Sequence, residues 1–227
     1  MITKSLLTLA AASLILLPAA NAAVVITVAN NGTNYLDRNL LSNTTFGSLS
    51  STNLTGGETA VDTNNSQGYI PFSLSVSDIA AISTATKVTL NIKLIGLTNV
   101  GSLVLNLYGL SNRGTDANAK TNDYSSGALL ISSFASSSST INEYLTLDVT
   151  SYVKSQIVSN EVVAFKFVVG NGTLPNADGV INAFVFSSAD AGASAAPNLS
   201  VTPVPEPGTV ALCALAGISL AIFRRRK

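Results

Sequence analysis

From Val88 to Leu94 the chain reads Val, Thr, Leu, Asn, Ile, Lys, Leu, which places Val88, Leu90, Ile92 and Leu94 on one face. A period of two belongs to a strand with one buried side, because successive Cβ atoms point to opposite faces of a pleated backbone. The same alternation returns at Leu103, Leu105 and Leu107, at Leu145, Leu147 and Val149, and at Phe165, Phe167 and Val169. It sets Lys87, Lys93 and Lys166 on the solvent faces of their strands. Further short strands are expected at Val24 to Val28, Gly68 to Leu74, Ala128 to Phe134, Val180 to Phe186 and Leu199 to Thr202. Clusters of Gly, Asn, Ser and Thr at Asn30 to Asn34, Asn64 to Gly68, Gly114 to Gly127 and Gly170 to Gly179 read as turns. Two helical interruptions are expected, one turn at Asp78 to Ile82 and a short helix at Thr150 to Val158 capped by Thr150 or Ser151. Many short strands, each buried on one face, predict an all-β chain folded as a jelly-roll-like β-sandwich with one or two short helices.

The two ends of the sequence break this pattern. Lys4 precedes an apolar run through Leu6, Leu7, Leu9, Leu14, Ile15, Leu16 and Leu17, and Ala20-Asn21-Ala22 follows as a small-x-small cleavage site. That order reads as a signal peptide over residues 1–22, removed on export. At the other end stand Pro205, Glu206 and Pro207, an apolar stretch within 209–223, and then Arg224, Arg225, Arg226 and Lys227. As a helix, Val210 to Phe223 spans about 21 Å, short against a hydrocarbon core of about 30 Å unless flanking residues snorkel. The terminal cations hold that end on the cytoplasmic side and leave the body outside. This order of motif, short helix and basic end resembles the PEP-CTERM sorting signal. The resemblance implies an exosortase that cuts near the proline motif after export through the Sec machinery, and a cell-surface or extracellular destination. An ordinary C-terminal membrane anchor would give the same orientation. The expected organisation is a signal peptide at 1–22, a β-sandwich domain at 23–202 and a sorting signal with a membrane helix at 203–227.

The remaining body is long enough for one domain with a substantial core. Taking Lys4 and the four terminal cations from 12 basic residues leaves 7, and taking Glu206 from 12 acidic ones leaves 11, so the body is mildly acidic at −4. Without a basic patch, no nucleic-acid partner is expected. The chain has no His, which removes histidine general bases, Ser-His-Asp and Cys-His catalysis and the commonest zinc ligand set. Its single Cys, Cys213, lies in the C-terminal apolar stretch, so the body has neither a disulfide nor a thiol nucleophile.

Several phrases of the body, in order, resemble the secreted DNRLRE domain, related to disaggregatase repeats and to carbohydrate-binding module family 96. They are Asn43-Thr44-Thr45-Phe46-Gly47, a turn in that family; Leu54-Thr55-Gly56; Gly68-Tyr69-Ile70-Pro71-Phe72-Ser73-Leu74; Thr84 to Leu90; Leu147-Asp148-Val149-Thr150-Ser151-Tyr152-Val153; Phe184 to Ser188; and Pro197-Asn198-Leu199. Gly47, Phe72, Asp148 and Thr150 stand at its structural signature positions. The chain departs from the family in the loop after Tyr108, where Ser111 to Asp116 replaces the usual tryptophan and glutamate. The resemblance implies a β-sandwich that associates with extracellular polysaccharide without catalysis.

Sugar sites on sandwiches need aromatic faces for CH contacts and polar or charged groups for hydroxyls or acid groups. Tyr108, Arg113, Tyr124 and Tyr144 are the candidates here, and each also has a structural reading as filler of the sandwich ends. Asp148, at a strand end ahead of a helix, is expected to accept backbone N–H bonds. Two other readings stay open. One is a structural or adhesive matrix protein, suited to a body rich in Ser, Thr and Asn. The other is a polysaccharide-degrading enzyme built on a carboxylate pair such as Asp116 with Asp123 or Asp37 with Glu58. No cofactor is expected, and Asp and Asn oxygens leave room for a structural calcium ion, although Asp116 to Lys120 breaks the EF-hand pattern.

Overall fold

The computed structural model describes residues 24–27, 34–39, 44–48, 53–61, 64–172, 174, 178–188 and 195–204. Residues Val24–Thr202 form one compact unit, and the fold is that of this unit. The signal peptide and most of the sorting segment, with Pro205, Glu206, Pro207, Arg224, Arg225, Arg226 and the 209–223 span, lie outside the described residues. Among the described residues no helix is long and apolar enough to cross a membrane.

Twelve strands form a curled antiparallel sheet. In chain order they are β1 (Val24–Thr27), β2 (Asn34–Asn39), β3 (Thr44–Ser48), β4 (Asn53–Ala60), β5 (Asn64–Ser73), β6 (Lys87–Thr98), β7 (Leu105–Leu110), β8 (Ala128–Ala135), β9 (Tyr144–Asp148), β10 (Val162–Val169), β11 (Ala183–Ser187) and β12 (Asn198–Thr202). Helix α1 (Val76–Thr84) joins β5 to β6, helix α2 (Thr150–Gln156) joins β9 to β10, and a 3-10 helix (Thr121–Tyr124) lies in the long β7–β8 connection. The sheet runs β1-β12-β6-β11-β4-β5-β10-β7-β8, with β2 and β3 added beside β5 and β9 beside β6. The long β6 makes the curl. Its first half lies between β12, through Lys87 to Asn91, and β9, through Thr89 to Lys93, while its second half pairs with β11.

The alternation in β6 is followed to the residue: Val88, Leu90, Ile92 and Leu94 are all fully buried. They meet Phe165 and Phe167 of β10 and Phe184 and Phe186 of β11 in one core. Phe134, Phe167 and Phe186 pack with ring centroids 4.9 to 6.1 Å apart, and burial of each such ring stabilises the fold by about 1.5–3 kcal/mol. Phe72, the signature phenylalanine, meets Phe165 edge-on at 6.1 Å.

Three local expectations are corrected. Asn64 to Gly68, turn-like in composition, is the first half of β5, held extended by β2 on one register and β4 on another. Likewise Thr44 to Ser48, with Gly47, is a strand paired to β2 rather than a turn. Helix α2 begins after Val149, so Thr150 is its first residue and neither Thr150 nor Ser151 caps it. By contrast, α1 is longer than one turn because Ser75 and Asp78 form a capping box: Ser75 Oγ accepts from Asp78 N at 3.2 Å, and Ser75 N donates to Asp78 Oδ2 at 2.9 Å.

Candidate functional site

The Leu147 to Tyr152 phrase builds a junction with its own internal logic. The β9–β6 ladder ends at Asp148 opposite Thr89. One residue on, Val149 N donates to Val88 O at 3.0 Å, and the next bond of the ladder goes to a side chain, since Val88 N donates to Thr150 Oγ1 at 2.8 Å. The Thr150 hydroxyl in turn donates to Asp148 Oδ1 at 2.7 Å, and Thr150 N donates to the same oxygen at 3.0 Å. Asp148 therefore orients the hydroxyl that replaces a backbone carbonyl, and the chain can turn into α2 without leaving a β6 amide unpaired. These hydrogen bonds from Thr150, helped by the Lys87 charge, lower the Asp148 pKa and keep it ionised at neutral pH.

This junction borders a groove of about 480 Å³ lined by Thr86, Leu129, Leu130, Asp148, Val149, Thr150, Ser151 and Tyr152. Its position follows from topology. Among the described residues β8 pairs with β7 alone and β9 with β6 alone, so the groove opens where two strand edges carry no further strand. Leu129 on β8 is half exposed at 52% and gives one wall an apolar surface. Tyr152 gives the other side a ring whose hydroxyl lies 2.9 Å from Leu110 O and 2.8 Å from Ala164 O. That ring lies flat against β7 because residue 109 is Gly; a Cβ there would stand 2.3 Å from Tyr152 Cε2.

The residues singled out for sugar contact lie elsewhere. Across four neighbouring strands Tyr69, Lys166, Tyr108 and Leu129 stand in register. Part of this row is covered by the β7–β8 connection. Lys166, expected in solvent, is buried, and its Nζ donates to Asp123 O and Tyr124 O, both at 2.8 Å, with the Tyr108 ring 5.7 Å away. Burial lowers its pKa to about 8, against the opposing pull of Asp123. Arg113 is turned inward as well. Its Nη1 donates to both carboxylate oxygens of Asp123 at 2.8 and 2.7 Å, its Nη2 to Asn118 O and its Nε to Asp116 O at 3.2 Å, and it lies over the Tyr69 ring. Tyr108 and Tyr124 are half-buried, and Tyr124 Oη donates to Asn65 O at 3.5 Å. Tyr144 is 41% exposed on β9, opposite Lys93.

The carboxylates considered for catalysis are engaged in holding loops. Asp123 carries Arg113, and Asp116 forms a 2.8 Å pair with Lys120. The Lys120 hydrogen bond, with help from Asn118, lowers the Asp116 pKa to about 2. Glu58 is buried and accepts from Asn182 N at 2.9 Å and Asn182 Nδ2 at 3.1 Å. The side chain of Asp37 lies outside the described residues. Among the described residues no three His, Cys, Asp or Glu side chains converge to hold a metal ion.

The sequence profile of carbohydrate-binding module family 96 matches residues 26–203, nearly the whole body. The chain belongs to that family. Comparison with curated proteins gave no match. In this family 96 chain the aspartate-valine-threonine phrase was legible from sequence, but its neighbours across the groove, Thr86, Leu129 and Leu130, were not. They come from other elements, and nothing in their local pattern marks them.

Proposed function

We propose that this is an exported, non-catalytic protein that associates with extracellular polysaccharide through its family 96 body. The observation that carries this reading is the groove between the β8 and β9 edges, with an ionised carboxylate, three hydroxyl side chains, a tyrosine ring and exposed leucine along its walls. Those are the groups that grip a sugar, since carboxylates and hydroxyls take its OH groups while apolar surface takes its CH faces. Asp148 is the one carboxylate in that lining, whereas glycoside hydrolysis uses a pair. Tyr108, Tyr124 and Tyr144 are further contact candidates, with Tyr144 the most open of them.

The sequence ends support the rest of the proposal. A signal peptide over 1–22 directs export, residues 23–202 form the binding domain, and the Pro205-Glu206-Pro207 segment with its basic end at Arg224, Arg225 and Arg226 passes the chain to an exosortase. The membrane then holds it through 209–223 until processing, and the body reaches the cell surface or matrix. No cofactor enters this reading, and a structural calcium ion is tested directly by chelation. The test is a glycan array probed with the full chain, in calcium and in chelator, over neutral polysaccharides and polyuronates. Saturable binding to one class is expected. A folded protein that binds none would leave the structural matrix role in its place.

A further inference from the structure

Resting on the reading of the groove as the sugar site, we propose that it selects neutral, hydroxyl-rich polysaccharide and rejects polyuronates. The lining side chains that ionise or donate and accept hydrogen bonds are Asp148, Thr86, Thr150, Ser151 and Tyr152. Two of these are already committed within the fold. Thr86 Oγ1 donates to Thr202 O at 3.1 Å, and the Tyr152 hydroxyl is held between two backbone carbonyls. Thr150 Oγ1 uses its proton on Asp148.

That leaves Asp148 as the dominant polar group. Its Oδ1 takes both Thr150 bonds, and its Oδ2 accepts none among the described residues. An ionised oxygen with open lone pairs wants a hydroxyl or ammonium donor, and a charge-assisted bond of that kind is about twice as strong as a neutral one. A uronate presents a carboxylate of the same sign, and like charges at contact distance disfavour binding.

The cations near the junction do not reverse that sign. Lys87 stands on the exposed start of β6 and acts on Asp148 through its field, which is part of what keeps Asp148 charged. Lys154 of α2 is turned to the α1–β6 turn, where its Nζ donates to Ala85 O at 2.6 Å. Arg113 and Lys166, the two side chains best suited to a uronate, are buried within the β7–β8 connection and away from the lining. The groove is therefore a hydroxyl reader with a negative centre.

The experiment compares the full chain with two variants on matched neutral and uronate polysaccharides at low salt. Asp148→Asn keeps the oxygen that Thr150 bonds and removes the charge; Ser151→Lys adds a cation at an exposed position of the rim. Wild type is expected to bind a neutral glycan and not the polyuronate. Asp148→Asn should weaken neutral binding roughly tenfold, and Ser151→Lys should admit the polyuronate. Melting curves and far-ultraviolet circular dichroism confirm that each variant is folded. Wild-type binding to polyuronate equal to or tighter than to neutral glycan would overturn the selectivity and leave carbohydrate binding standing. So would two folded variants with unchanged preference. Failure of folded wild type to bind either class would overturn both readings.

Discussion

At the residue scale the molecule is most sensitive where a charge has been brought inside. Lys166 holds the β7–β8 connection to the sheet through two carbonyls, and burial lowers its pKa from 10.5 to about 8. Between those values the unfolded chain carries the proton and the folded chain has lost it, so unfolding free energy rises with pH from about 8 to 10. Above that range the trend reverses, because burial raises the Tyr69 and Tyr152 pKa values and the unfolded chain releases their protons first. Urea midpoints measured from pH 7 to pH 10 should climb in wild type and stay flat over that range in Lys166→Met. Asp148 behaves in the opposite sense. Its lowered pKa contributes stability that is present at neutral pH and lost as pH falls through the folded value. Asp148→Ala is expected to cost about 1 kcal/mol, as loss of a helix-start acceptor does, and an unchanged melting temperature would contradict that role. The alternation of β10 was legible enough to place Lys166 opposite Phe165 and Phe167. What it could not reveal is that a connection from sixty residues' worth of other structure closes over that face, since period two reports a side and not what covers it.

At the scale of elements, the strands with regular alternation were readable and the polar ones were not. The first half of β5 is Asn, Ser, Gln and Gly, a composition that favours turns in isolation. It is extended because β2 and β4 supply hydrogen-bond partners, so pairing outweighs local preference. The junction of β9 and α2 was legible in part, as a phrase with an aspartate before a helix, while the Thr150 bond to Val88 needed the third dimension. One contact between elements decides how the groove wall is built. Tyr152 of α2 lies on Gly109 of β7, and any side chain at 109 would displace the ring. Gly109→Ala is expected to destabilise the fold by about 1–3 kcal/mol, in the range for overpacking, and to weaken glycan binding. Both changes are read from urea denaturation and from binding isotherms of the same preparation. A variant with wild-type stability would show that the ring has another place to lie.

At the scale of the whole unit the first and last strands meet, for Val24 of β1 stands opposite Val201 of β12. β12 is interior to the sheet, between β1 and β6, and it buries Leu199 and Val201 in the core. A chain ending at Ala196 should therefore fail to fold rather than lose one strand. Circular dichroism of that truncation would show an unordered spectrum, and a native-like spectrum would mean that β6 stays ordered with one neighbour removed. Pairings such as β4 with β11 and β6 with β12 join distant parts of the sequence, and folding is expected in milliseconds to seconds, slower than for helical domains of this size.

The flanking of β6 by β9 and β12 has a mechanical side. β9 and β12 run in the same direction, and Asp148 and Val201 lie opposite adjacent β6 residues, Thr89 and Val88. Two inter-strand spacings of about 4.8 Å therefore separate the groove from the last strand. Tension applied between a polymer held at Asp148 and a tether beyond Thr202 crosses two short hydrogen-bonded ladders and bypasses the aromatic core. The grip could be strained, or let go, with the rest of the molecule at ease.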